Sequence, residues 1–284
     1  MSLFKKIIFI FSAMIALTAA YIGYHIPPED QIKGCITTTM FNVDLCPQNK
    51  NYVHLKNIST YLQRTLILTE DSRFYTHHGF DSEGIEHCIE KLKEKKRIVC
   101  GGSTLSQQLA KNMFLSKNKT FIRKGLEALI TIKIEKTLTK KEILEKYLNV
   151  VQFGKNIFGI KQAATFYFKK SPSQLDPVES AFLAMILPSP EKYSQSYFRK
   201  ELTHFARRRI SKILEDMYKY KSMDEEQYVT SMAKLESFLQ SVRVKEMNDQ
   251  ITNDSILNNE MSDDISNDDV FSDEDFEEPS VSED

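Results

Sequence analysis

From Ile7 to about Ile26 the chain is an apolar run without Asp, Glu, Lys or Arg. About twenty such residues span a bilayer core as one helix, so 7–26 is expected to be a transmembrane signal anchor behind a short N-terminus, 1–6. The pattern then breaks. Residues 27–57 carry Pro27-Pro28, Gly34, Pro47 and a few β-branched positions, and read as an irregular connector with a short hairpin across Cys35 and Cys46. From about Ile58 to Met232 the spacing is almost wholly helical. Leu62, Leu66 and Leu68 begin an amphipathic segment that ends near Glu70. "GGSTLSQQLAKNMF" begins a second, with Thr104 as N-cap and Gln107 completing a capping box. "RKGLEALITIKIEKTL" and "TKKEILEKYLNVV" read as two helices with a brief break, because Thr139 and Glu142 form another box. "DPVESAFLAMIL" has Asp176 as cap and Pro177 at the first helical position. No βαβ alternation appears, so 58–245 is expected to be a mainly α globule.

Charge changes this picture in two places. Fifteen of the 39 Asp and Glu lie between Glu246 and Asp284, where there is no Lys or Arg. That acidic stretch, 246–284, buries too little apolar area to offset ordering entropy and is expected to be disordered. All 38 Lys and Arg belong to the remainder, which is strongly basic and points to an anionic partner. Lys5 and Lys6 precede the apolar run, which favours a cytoplasmic N-terminus and an exported body. The run passes the small-residue site Thr18-Ala19-Ala20 and continues through Tyr21-Ile22, so an uncleaved anchor is expected rather than a cleaved signal peptide. A basic body held outside the cytoplasm would lie against anionic lipid headgroups, and nucleic acid is not expected as a partner. Export makes the local pairs Cys35–Cys46 and Cys88–Cys100 the expected disulfides, although four cysteines allow three pairings. No CxxC spacing suggests zinc.

"TEDSRFYTHHGFD", Thr69–Asp81, concentrates the chemistry. A metal reading would use His77, His78, Asp81 and Glu70 or Asp71, but no HExxH or HxH spacing supports it. An acid/base reading is better. Glu70 follows the apolar run "TLILT" and should emerge at the rim of a core, where partial desolvation raises a carboxyl pKa. Gly101 and Gly102 precede a capped helix and let backbone N–H groups approach an anion. Ser103, Gln107, Gln108 and Lys111 add a polar face, and Arg123, Lys124 and Glu127 form a third cluster, with Glu135 two turns on. Two carboxylates on separate helices beside phosphate-friendly groups suit glycosyl chemistry.

These residues carry a resemblance. "EDSRFYTHHGFD" resembles the EDxxFxxHxGxD motif of the peptidoglycan glycosyltransferases, glycosyltransferase family 51, and "GGSTLSQQLAKN" is similar to the family's GGSTITQQLAKN. "RKGLEALITIKIEKTLTKKEILEKYLNVVQFGKNIFGIKQAA" resembles its third motif and "ESAFLAMILPSPEKYS" its fourth, in order over about 58–220. The resemblance implies a lysozyme-like, two-lobed, mainly α fold at the bacterial inner membrane, with the catalytic domain on the periplasmic side. It implies polymerisation of lipid II into glycan strands, with release of undecaprenyl pyrophosphate. By motif position Glu70 would be the general base and Glu127 the acid assisting at the pyrophosphate, directly or through a divalent cation, Mg²⁺ or Mn²⁺; no cofactor is obligatory. Asp71, Ser103, Gln107, Lys111 and Arg123 would bind substrate, while Phe74, His77 and Gly79 would shape the first motif's loop. The partners implied are lipid II, the growing strand, membrane lipid and other cell-wall synthesis proteins.

The chain departs from the family at His87-Cys88, where an arginine–alanine pair is common, and in the lysine-rich loop up to Cys100. Asn156 replaces a glycine before an aromatic and is expected in the left-handed region. Two other readings are a hydrolase using Glu70 as acid with water as acceptor, and a silent scaffold. The GGST and QQ cluster disfavours the first, and retention of Glu70 and Glu127 the second.

Overall fold

The computed structural model describes residues 3–96, 101–118 and 120–240. Two units divide the chain, Met1–Phe238 and Leu239–Asp284. The acidic tail expected at 246–284 lies outside the described residues, as does Cys100 of the expected Cys88–Cys100 pair.

The apolar run forms α1, Leu3–His25. It is long and apolar enough to cross a membrane, and its side chains are not buried against the body. Next come α2 (Glu29–Lys33), strands β1 (Ile36–Thr37) and β2 (Asp44–Leu45), and a 3-10 turn at Leu55–Asn57. The two strands pair antiparallel, Ile36 with Leu45 and Thr37 with Asp44, and the Cys35–Cys46 disulfide closes the hairpin as expected. Residues 29–57 are stitched to the body rather than strung beside it. Ile32, Leu45 and Val53 are buried. The Asn149 side chain accepts from the Val53 N–H at 2.8 Å and donates to its carbonyl at 2.9 Å. Glu145 accepts from the Leu55 N–H at 2.7 Å and from the Tyr52 hydroxyl at 2.8 Å.

Each helical segment predicted for the body is a helix in the structure, and others lie between and after them. The body contains α3 (Thr60–Glu70), α4 (Ser82–Lys95), α5 (Leu105–Phe114), α6 (Phe121–Thr137) and α7 (Lys140–Val150). Strands β3 (Gln152–Gly154) and β4 (Ile157–Phe158) then form a second small hairpin. After it come α8 (Gly159–Phe168), α9 (Pro177–Ile186), the short α10 (Pro190–Tyr193) and α11 (Gln195–Phe198), and α12 (His204–Lys219). A further helix runs from 225. The capping boxes at Thr104/Gln107, Thr139/Glu142 and Asp176/Glu179 are all formed. Asn156 has φ +60°, in the left-handed region as expected.

The mainly α fold is therefore as expected, with one correction. The lysine-rich stretch before Cys100, read as a loop, is helical as α4 from Ser82 to Lys95. The Asp81 carboxylate caps it by accepting from the Gly84 N–H at 3.0 Å, and Ile85, Ile89 and Leu92 recur at helical spacing on its exposed surface.

α9 is the centre of the core, with every residue from Val178 to Ile186 buried. A helix apolar all round needs neighbours on several sides, and α3 and α12 both pack on it. α5 packs on both α6 and α7. Its Leu105, Leu109 and Met113 face that interior, which leaves Gln107, Gln108 and Lys111 on the side that meets a cavity.

Candidate active site

Glu70 is the last residue of α3, and the helix stops there for a local reason. Asp71 turns out of the helix, and its carboxylate takes two partners elsewhere. Asp71 Oδ2 accepts from the Leu105 N–H at 2.9 Å, and Oδ1 lies 2.9 Å from His77 Nε2. His77 Nδ1 accepts from the Gly79 N–H at 3.1 Å, so Nε2 carries the proton and donates to Asp71. The Gly79 carbonyl accepts from the Thr104 hydroxyl at 2.7 Å. Asp71, His77, Gly79 and Thr104 thus tie the end of α3 to the start of α5. Burial nonetheless raises the Asp71 carboxyl above its ordinary pKa.

Gly79 has φ +98°, and a Cβ there would sit 3.0 Å from Thr131 Cγ2 and 3.3 Å from Glu135 Cγ. Both conformation and space therefore require glycine. Phe74 is fully buried, with Lys140 Nζ 4.7 Å from its ring centroid. Lys140 also pairs with Glu135 at 2.7 Å, and Ser106 donates to the same carboxylate. Glu135 is thus a strut behind the first motif's loop.

Glu70 itself opens onto a cavity of about 210 Å³ that includes Ser72, Gly101, Gly102 and Ser103. Burial raises its carboxyl pKa, opposed by the Gln108 hydrogen bond and by the positive charges of Arg209 and Lys111. The Gln108 amide donates to Glu70 Oε2 at 3.1 Å, while the buried Tyr147 hydroxyl donates to Gln108 Oε1 at 3.0 Å.

Ser103 also lines a second cavity, of about 540 Å³, with Gln107, Gln108, Lys111, Arg123, Lys124 and Glu127. Glu127 is buried and pairs with Arg123 at 2.8 Å and with Lys124. Arg123 Nε is buried without a hydrogen-bond partner among the described residues. Lys124 Nζ also reaches Ser103 Oγ at 3.3 Å. Burial lowers the Lys111 pKa, with Arg123 and Lys124 adding to the effect and Glu127 and Glu70 opposing it.

The residues singled out in the sequence therefore fall into three groups. Glu70 is in the smaller cavity; Lys111, Arg123 and Glu127 are in the larger; Ser103 lies between them. Asp71, Phe74, His77 and Gly79 are the supporting shell. Gln107 lines the larger cavity, but its Oε1 is engaged at 3.0 Å by the Thr104 N–H as part of the cap. Gly101 and Gly102 line Glu70's cavity, and an added Cβ at either would meet nothing within 4 Å. Among the described residues no contact demands glycine there. Among the described residues no three His, Cys, Asp or Glu gather to hold a metal ion.

Two contributors escaped the sequence-derived site. Tyr147 lies on the buried face of α7, where a tyrosine reads as core. Arg209 belongs to the run Arg207-Arg208-Arg209 of α12, which reads as a solvated helix face. The arrangement offers a carboxylate of raised basicity next to a cation-lined cavity able to take a polyanion.

The chain matches the family model described as Transglycosylase over residues 37–218. It is 48% identical over 156 residues to the biosynthetic peptidoglycan transglycosylase of Aromatoleum aromaticum, covering 55% of this chain and 68% of that protein. The protein of the same name in Dechloromonas aromatica is 45% identical over 52% of this chain and 64% of its own length. That of Acinetobacter baumannii is 42% identical over 56% of this chain and 73% of its own length. This chain belongs to the transglycosylase family, and it is a glycosyltransferase enzyme.

Proposed function

We propose that this glycosyltransferase polymerises lipid II into the glycan strands of peptidoglycan. The observation that carries the reading is the pairing of a half-buried, basicity-raised Glu70 with the adjoining cavity of Lys111, Arg123 and Lys124. Glu70 takes the proton from the acceptor sugar's 4-hydroxyl. That oxygen attacks the donor's anomeric carbon, the bond to the pyrophosphate oxygen breaks, and the configuration inverts. The leaving pyrophosphate gains charge as that bond opens, and preorganised cations facing it stabilise the transition state more than the ground state. Glu127 holds Arg123 and Lys124 in place and keeps their charges from repelling each other.

A divalent cation is compatible with this donor set only as one carried largely by the substrate. Mg²⁺ is usually held by one or two carboxylates together with substrate phosphates, and Glu127 is the carboxylate in the larger cavity. No step above depends on it.

Lys5 and Lys6 ahead of α1 support a single-pass anchor with the body outside the cytoplasm. The exposed Phe121, Ile122, Ile85, Ile89 and Leu92 support contact with membrane lipid, where a lipid-linked donor would be met. The test is to incubate detergent-solubilised protein with labelled lipid II and resolve the products. Strand formation by the wild type that is lost in Glu70→Gln is the expected result. Cleavage of preformed glycan with no strand formation would replace the reading with a hydrolase.

A further inference from the structure

The β1–β2 hairpin reaches the larger cavity through residues that belong to none of the motifs. Its base is fixed by the Cys35–Cys46 disulfide and by the Ile36–Leu45 pair, of which Leu45 is buried. Its turn is fixed by Thr38, which is buried. The Thr38 N–H donates to the Val43 carbonyl at 2.8 Å, and the Val43 N–H donates to Thr38 Oγ1 at 3.0 Å. The Thr39 N–H donates to the Met113 carbonyl at 2.9 Å, which ties the hairpin to the last turn of α5, the helix that carries Lys111. At the tip, Met40 lines the cavity. Phe41 packs against Phe158 with ring centroids 4.7 Å apart, and Lys117 Nζ lies 4.7 Å from the Phe41 centroid. Lys117 lines the same cavity as Lys111, Arg123 and Lys124, and no carboxylate pairs with it among the described residues.

We propose that the hairpin is part of the anion site: Phe41 holds Lys117 at the cavity rim as a further cationic contact for the phosphate oxygens of the lipid pyrophosphate. The assignment rests on the functional reading above for its ligand, and on the cation–π contact and the shared cavity for its geometry. An exposed lysine ordinarily spreads over many rotamers. A ring beneath its ammonium confines that motion while leaving the charge free to meet an anion. The disulfide and the Thr38 and Thr39 hydrogen bonds give the ring a fixed place from which to do so.

The experiment uses the full chain in detergent and two probes: inorganic pyrophosphate by calorimetry and lipid II by initial rates. Lys117→Ala is expected to weaken pyrophosphate binding about two- to fivefold, the scale of one exposed charge contact. Its KM for lipid II should rise more than kcat falls, and Lys117→Arg should restore most of the affinity. Phe41→Leu should weaken pyrophosphate binding in the same direction, and Phe41→Leu with Lys117→Ala should be no worse than Lys117→Ala alone. Unchanged pyrophosphate affinity in Lys117→Ala, or losses that simply add in the double variant, overturns the proposal. Pyrophosphate binding reads the hairpin whether or not strands form, so a wild type that fails to polymerise lipid II counts against the functional reading alone.

Discussion

Gln108 donates to Glu70 from an amide whose orientation is fixed by Tyr147, so the Glu70 carboxylate meets an N–H and not a carbonyl. Were the amide reversed, two acceptors would face each other in a half-buried site. Tyr147 is wholly buried, and burial keeps its hydroxyl protonated well above the ordinary tyrosine range, so it stays a donor. Gln108 is thus a positioning residue that also sets basicity.

That relationship predicts a shift in the pH profile. Burial raises the Glu70 pKa, and the Gln108 hydrogen bond opposes the rise by stabilising the charged form. Gln108→Ala removes the opposition, so the acid limb of kcat/KM should move to higher pH. An acid limb that stays in place in this variant would show that Glu70's basicity is set elsewhere.

Glu70→Gln should lose polymerisation by about a hundredfold or more, the scale of a general base, yet gain stability at neutral pH. The folded protein favours the protonated carboxyl, because its pKa there lies above the unfolded value. Ionisation therefore lowers stability as pH rises from the ordinary carboxylate range through the folded pKa, and the full penalty stands above it. Each unit of such a rise is worth about 1.4 kcal/mol. Thermal unfolding should give the variant a higher Tm at neutral pH, with the gap closing toward acid pH. A variant less stable than the wild type at every pH would contradict a burial-raised Glu70.

Glu127→Gln should separate binding from turnover. It removes the carboxylate that neutralises Arg123 and Lys124, leaving two cations facing the cavity with less to hold them in place. Pyrophosphate affinity should hold or improve, and kcat should fall by tenfold or more. A parallel loss of affinity and kcat would mean that Glu127 acts chiefly by keeping the cavity's shape.

Gly79→Ala should cost about 1–3 kcal/mol, the scale of a non-glycine residue forced into a sparsely populated backbone region. The added methyl also presses on Thr131 and Glu135. Both Tm and activity should drop together, because His77 and Thr104 take their positions from this residue. Normal stability in this variant would show that the loop can relax around a side chain.

Most of the helical frame was legible because caps are local. Thr104 and Thr139 each announce a helix through a residue three positions away, and those boxes form as read; Asp176 was read as a cap, and the structure adds Glu179 to make it a third box. α4 was the failure. Ile85, Ile89 and Leu92 have helical spacing after the cap Asp81, but the lysines around them suggest a loop, and no buried residue gives the helix a place in the core. The candidate site's cavity linings were legible at Glu70, Lys111 and Arg123, where the residue type alone suggests the chemistry. Tyr147 and Lys117 were not, because their contacts reach across 39 residues of sequence in one case and to the Phe41 ring in the other. A buried tyrosine and a surface lysine look like any others until the chain is folded.

The connector's burial has a consequence for where the enzyme can work. α1 ends at His25, and Ile32 is already fully buried. At no more than about 3.6 Å per residue, the intervening chain extends at most roughly 25 Å. If α1 spans the bilayer, Ile32 and the body it packs into are held within that reach of the end of the anchor. The body cannot stand off to sample the solution, and it meets partners by sideways diffusion in a thin layer over the membrane. Encounter rates with any membrane-bound partner are then governed by its surface density, not by a bulk concentration.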